Sequence, residues 1–200
     1  MPGHRALQSR VHSALDTCVE SQGVDFKESA AMAVLQYKLI RTAMAMANLR
    51  DGGVIVIGAS ERGPSWDLTG ISEVHLNSYA VDELVDAINR FASPPIAVEL
   101  VLVPYRAGPS FLAVNIREFG ETPIVCRRDG PPGSGLKQGL VYVRPPGVAR
   151  TSEVRTADEM HDLLDLAAEK RARRILETAR RIGMQAPAPD RPFDDELEGL

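Results

Sequence analysis

The chain has 200 residues, 44% hydrophobic and 25% charged, with a formal net charge of −4 at pH 7. That is enough for one cored domain with an appendage, and the acidic balance argues against indiscriminate coating of nucleic acid. With no charge-free apolar run of membrane-spanning length, and an opening M-P-G-H-R-A-L-Q-S-R that lacks the apolar segment of a signal peptide, the expectation is a cytoplasmic protein with no membrane contact.

In chain order, Leu7, Val11, Leu15 and Val19 recur four apart and predict a helix over residues 5–19, with Gly23 as a left-handed cap. Val24–Phe26 predicts a short strand with Asp25 on the face opposite Val24 and Phe26. Ser29 is a candidate N-cap for an alanine-rich helix over 30–47. Asp51-Gly52-Gly53 predicts a tight turn, and Val54–Ile57, four aliphatics in a row, a central strand. Residues 59–77 read mostly as loop, with Trp66 and Leu68 on a short returning strand.

Val81, Leu84, Val85, Ile88 and Phe91 form the inner face of a helix that Ser93-Pro94-Pro95 stops. Ala97–Tyr105 and Phe111–Arg117 predict a hairpin. Pro123–Cys126 and Leu140–Val143 predict two more strands, separated by a flexible, basic, glycine-rich excursion. Thr156 should cap a helix over 157–182. The expected organisation is a domain over 1–165, a helical extension over 166–182 and a disordered tail over 183–200.

No glycine motif for dinucleotides or Walker-type phosphates occurs. The four histidines are scattered, and Cys18 and Cys126 are too far apart for ligand or disulfide spacing, so they read as free thiols. Neither Ser29 nor Ser60 has an evident histidine partner.

The acidic candidates are Glu20, Asp25, Glu28 and Glu61. If the first strand pairs beside the central one, Glu20, Asp25 and Glu61 could converge. Their mutual repulsion would be relieved by a hard divalent cation, Mg2+ or Mn2+, which could polarise a phosphodiester and activate water. Lys27 could neutralise a phosphate. Equally, Glu20 and Asp25 read as end-of-element acids with Lys27 as their ion-pair partner.

Charge is unevenly spread. Residues 51–105 carry 2 Lys/Arg against 8 Asp/Glu, and residues 106–155 carry 8 against 4. Arg117, Arg127, Arg128, Lys137, Arg144 and Arg150 sit at strand ends or around the glycine-rich excursion, which suits contacts to phosphate oxygens. A solvated sheet edge explains them as well. Tyr37, Tyr79, Tyr105, Tyr142, Phe119 and Trp66 are candidates to stack bases.

The order Glu20…Val24-Asp25-Phe26-Lys27-Glu28, Ala45-Met46-Ala47-Asn48, Asp51-Gly52-Gly53-Val54-Ile55-Val56-Ile57-Gly58, Leu68-Thr69-Gly70 and Tyr142-Val143-Arg144 resembles the Schlafen/AlbA_2 domain, the DNA-binding domain of many bacterial proteins and of the Schlafen core. The resemblance covers about residues 15–165. It implies an α/β (α+β) fold, a mixed β-sheet with flanking helices. Some relatives cleave tRNA or rRNA with three carboxylates and a divalent ion, which the resemblance assigns to Glu20, Asp25 and Glu61. The chain departs from the pattern at Asp25, where glutamate is usual, at Ser60, often acidic, and at Pro145-Pro146-Gly147.

Three functions are therefore expected. The first is a nucleic-acid-binding module that uses Arg117, Arg127, Arg128, Lys137 and Arg144 against the backbone. The second is a divalent-metal-dependent endoribonuclease that uses Glu20, Asp25 and Glu61 with Lys27. The third is a non-catalytic regulatory or assembly protein that pairs its 157–182 helix with a second copy or a partner.

Overall fold

Alternating and continuous apolar runs build one central sheet with a different helical layer on each face. The computed structural model describes residues 2–63 and 65–183. In chain order the elements are α1 (Pro2–Thr17), β1 (Val24–Lys27), α2 (Met32–Ala47), β2 (Gly53–Ile57), β3 (Ser60–Arg62), β4 (Ser65–Asp67), α3 (Glu73–Leu76), α4 (Val81–Asn89), β5 (Ala92–Ser93), β6 (Val98–Pro104), β7 (Ser110–Ile116), β8 (Val125–Cys126), β9 (Tyr142–Val143), β10 (Ser152–Glu153) and α5 (Ala157–Arg181). This is the expected mixed α/β architecture. No helix among the described residues is long and apolar enough to cross a membrane.

The main sheet has the order β1-β2-β7-β6. β1 and β2 are parallel because α2 crosses over between them. The β2–β7 and β7–β6 pairs are antiparallel. Period two sorts the side chains of β2. Val54 and Val56 join Val24, Phe26 and Phe111 beneath Leu7, Val11 and Leu15 of α1. Ile55 and Ile57 join α2, α4 and the first half of α5 on the other face. Val54 to Ile57 are all inaccessible to solvent, which is why this strand reads as an unbroken aliphatic run.

Several local expectations are corrected. α1 ends at Thr17, and Cys18, not Gly23, takes the left-handed turn with φ 50°. Val19 therefore leaves the apolar stripe and stands exposed. Ser29 does not cap α2, which starts after an extended Ala31 without a side-chain cap. Its hydroxyl accepts from the Ser72 N–H (3.0 Å) and bonds His75 Nδ1 (2.9 Å), so a histidine partner exists after all. β4 is the short returning strand expected around Trp66, but it ends at Asp67 before Leu68, and it pairs antiparallel with an unexpected strand, β3.

Gly52 shows why the turn before β2 needs glycine. Its φ is +63°, and a Cβ there would lie 2.1 Å from the Ile116 carbonyl oxygen. Asn48 ends α2 and is buried. Its amide donates to the Ile124 and Tyr142 carbonyls (both 3.0 Å) and its oxygen accepts from Ile124 N–H (2.7 Å), stitching α2 to the segments around β8 and β9.

α5 opens with a capping box, Thr156 with Glu159. It is continuous through the expected boundary at 165/166, and Leu166 and Ala167 are buried. Ion pairs carry its attachment further: Glu169 with Arg50, Lys170 with Glu118 (2.6 Å), and Arg174 with Glu121. Beyond these, Ile175, Leu176 and Ile182 are exposed. The expected disordered tail lies outside the described residues, apart from Gly183.

Candidate nucleic-acid interface

β1 is the edge strand of the main sheet, and its side chains organise the site. Asp25 pairs in register with Ile55, so it points to the α2 face. There it meets Arg144, one residue beyond β9. Arg144 Nη1 donates to Asp25 Oδ1 at 2.9 Å, and Nη2 donates to the carbonyls of Ser21 (2.9 Å) and Val24 (3.3 Å). The Arg144 side chain is 0% accessible and that of Asp25 7%. Arg144 is therefore not the exposed strand-end cation expected from the sequence. Burial demands a counter-charge, and Asp25 supplies it. Lys27 takes the second carboxylate oxygen, Asp25 Oδ2, and also donates to the Phe26 carbonyl (3.1 Å).

Glu20 lies beside this pair. Its Oε1 accepts from the Phe26 N–H at 2.8 Å. Burial pushes the Glu20 carboxyl above its ordinary value. The Phe26 N–H, Lys27 and Arg144 oppose the shift, and the negative charge of Asp25 adds to it.

Glu61 does not join them. It is exposed on β3 opposite Trp66. Trp66 packs on Phe26 at 4.8 Å between ring centroids, on the α1 face, the reverse of the face Asp25 uses. Two of the three expected carboxylates thus share a pocket and the third lies outside it. Among the described residues, no three His, Cys, Asp or Glu side chains stand close enough to hold a metal ion. Both oxygens of Asp25 are engaged by cations, Lys27 and Arg144.

The pocket holding Glu20 and Asp25 has a volume of about 340 Å³ and is also lined by Lys27, Lys38, Arg41, Thr42, Ala149, Arg150 and Thr151. Lys38 and Arg41 come from α2, one turn apart. Arg41 is fixed: Nη2 donates to the Thr151 carbonyl (3.0 Å) and its guanidinium stacks over Tyr142 at 5.6 Å from the ring centroid. Sequence reasoning missed Lys38 and Arg41. The signal was two cations at i and i+3 on an otherwise apolar helix.

The glycine-rich excursion reaches this pocket and is tied down, contrary to the expected flexibility. Leu136 is buried, and Gly130 N–H bonds the Leu136 carbonyl (3.0 Å). Tyr142 hydroxyl donates to the Gly135 carbonyl (2.7 Å) and accepts from the Lys137 N–H (2.9 Å). A Cβ on Gly135 would lie 3.0 Å from Arg41 Nη1, so glycine permits the approach. Arg127, Arg128 and Lys137 are exposed along the excursion, with Arg128 over Phe91 at 6.0 Å. Tyr142 is thus a tie between loop and pocket, not a base-stacking platform. Arg117 is exposed but stands beyond Ile116, opposite Gly53, whereas Lys27 is in register with Ile57 at the other end of β2.

A larger cleft of about 760 Å³ lies between α5 and the start of β1, lined by Asp51, Glu159, Asp162, Asp165 and Glu169 against Arg10, Arg50 and Arg144, an acidic excess that suits phosphates less well.

Among solved structures, the DIP2311 protein from Corynebacterium diphtheriae is similar, with a TM-score of 0.51 and 19% identity over 80% of this chain and 28% of that one. The N-terminal domain of a RecG-related protein from Nitrosomonas europaea aligns with a TM-score of 0.47 and 18% identity, over 66% of this chain and 87% of that one. The first likeness speaks to fold alone, and this chain spans well under a third of that protein's length. No curated protein matches the chain. Residues 20–145, most of the chain and including Glu20, Asp25 and Arg144, match the model of Schlafen, AlbA_2, and the chain belongs to that family.

Proposed function

We propose that this protein binds nucleic acid through its phosphate backbone, with the glycine-rich excursion as the contact surface. Membership of the Schlafen/AlbA_2 family supports a nucleic-acid-binding role in general. The observation that supports the finer assignment is the tie of Gly135 and Lys137 to Tyr142, whose ring Arg41 of the pocket covers, with Arg127, Arg128 and Lys137 exposed along the same excursion. Phosphate contacts of this kind position a strand without reading its bases. Arg117 would contribute separately at the far end of the sheet, and Arg144 would act only from beneath.

Fluorescence anisotropy with a single-stranded RNA and its DNA counterpart, across a salt series, tests this. Affinity should fall linearly on a log–log plot, and each phosphate that Arg127→Gln/Arg128→Gln leaves unneutralised should reduce the slope by about 0.7. A slope that this variant leaves unchanged would refute the loop as the contact surface. The endoribonuclease expected from the resemblance requires Asp25 to be released from Arg144 and Lys27 to reach a metal. Cleavage of tRNA on addition of Mn2+, abolished in Glu61→Ala, would select that activity over simple binding.

A further inference from the structure

We infer that the pocket between β1, α2 and residues 149–151 is a receptor for a phosphomonoester, the terminal phosphate of a strand or of a nucleotide. The inference rests on the nucleic-acid reading above and narrows it to strand ends. Four cations, Lys27, Lys38, Arg41 and Arg150, line the pocket against two carboxylates, Glu20 and Asp25, an excess of two positive charges. A phosphomonoester carries about −1.5 to −2 at neutral pH, whereas a diester carries −1. The excess therefore matches an end phosphate better than an internal one. Asp25 is also shielded, because Arg144 grips it from the buried side.

The donors are prepared. The Arg41 guanidinium is held by the Thr151 carbonyl and by Tyr142, which removes much of the entropy an arginine loses on binding. Arg41 Nε and Thr151 Oγ1 are buried and have no hydrogen-bond partner among the described residues. A buried polar group without a partner is costly, and a small shift of the rim side chains would let an oxyanion reach these two atoms and relieve the cost. Lys38 and Arg150 are exposed at the rim and form no ion pair among the described residues, so they are free to close on an anion. The volume, about 340 Å³, is at the small end for ligand pockets. It accommodates a phosphate with its sugar, not a length of strand.

The test uses the full chain and one oligonucleotide made with a 5′-phosphate, a 3′-phosphate or hydroxyl ends. One phosphorylated form should bind roughly tenfold tighter than the hydroxyl form, the size of a charge-assisted hydrogen bond. In Lys38→Gln/Arg150→Gln that ratio should fall to about unity. Arg127→Gln/Arg128→Gln should weaken all three forms and keep the ratio. Equal affinity for the three forms in the wild type overturns the inference, while salt-dependent binding leaves the backbone reading standing. If no oligonucleotide binds, the backbone reading fails and a thermal shift with inorganic phosphate or a nucleoside monophosphate decides the pocket. Stabilisation that disappears in Lys38→Gln/Arg150→Gln supports it for free nucleotides, and no stabilisation refutes it.

Discussion

Replacing Asp25 by alanine removes the carboxylate that Arg144 grips and leaves a guanidinium with no solvent access. The carbonyls of Ser21 and Val24 remain as acceptors at 2.9 and 3.3 Å, but neither carries a charge. Breaking a buried pair on one side costs about 3–5 kcal/mol, a large part of the roughly 5–15 kcal/mol that holds a domain together. At about 2–4 °C per kcal/mol for a chain of this size, Tm should fall by about 6–20 °C. Arg144→Met should cost less, because Asp25 keeps Lys27 as a partner. The double variant Asp25→Ala/Arg144→Met removes both charges and should recover part of the Asp25→Ala loss. Urea unfolding followed by circular dichroism on all four proteins gives the coupling energy directly. A loss below about 1 kcal/mol for Asp25→Ala, or strict additivity in the double variant, would refute the buried clamp. The result also governs any activity assay. Loss of cleavage in Asp25→Ala means nothing about catalysis until folding has been measured.

Two further outcomes follow from the same geometry. Burial raises the Glu20 carboxyl, so the folded state holds that proton to higher pH than the unfolded chain does. The resulting penalty is absent below the unfolded value and complete above the folded one, so Glu20→Gln should raise Tm at pH 7. That advantage should shrink as pH falls toward 4, and a gap that widens in acid would contradict it. Ile175, Leu176 and Ile182 are exposed beyond the last ion pair of α5, and pairing with a second copy would cover them. Removing residues 175–200 should then convert a dimer to a monomer by sedimentation, and an unchanged number of copies per particle would sink the paired-helix expectation.

Much of the fold was legible because its signals are local. Val54–Ile57 could only be a central strand. The hairpin of β6 and β7 follows from its two apolar runs, and the start of α5 from the Thr156 cap. The returning strand at Trp66 was legible, but its partner β3 was missed because Ser60–Arg62 is polar and only three residues pair on each side. Glu20 and Asp25 line one pocket because Glu20 lies just before the short strand that carries Asp25. Arg144 was misplaced because its partner is 119 residues away. Sequence shows that an arginine is charged, not that it is buried. Lys38 and Arg41 escaped notice for the converse reason: they look like the solvated side of α2 until residues 149–151 fold over them.

The bonds around β1 have a consequence beyond binding. Its outer margin would present Val24 and Phe26 backbone groups as a template for another strand. Instead Val24 N–H and carbonyl bond Ser21, Arg144 also takes the Val24 carbonyl, Glu20 takes the Phe26 N–H and Lys27 takes the Phe26 carbonyl. Glu20 and Lys27, two of the residues that resemble a catalytic set in this family, therefore join Ser21 and Arg144 in sealing a sheet edge against strand addition. Alanine at Glu20 or Arg144 would open that margin, and self-association on storage is the behaviour to watch for in such variants.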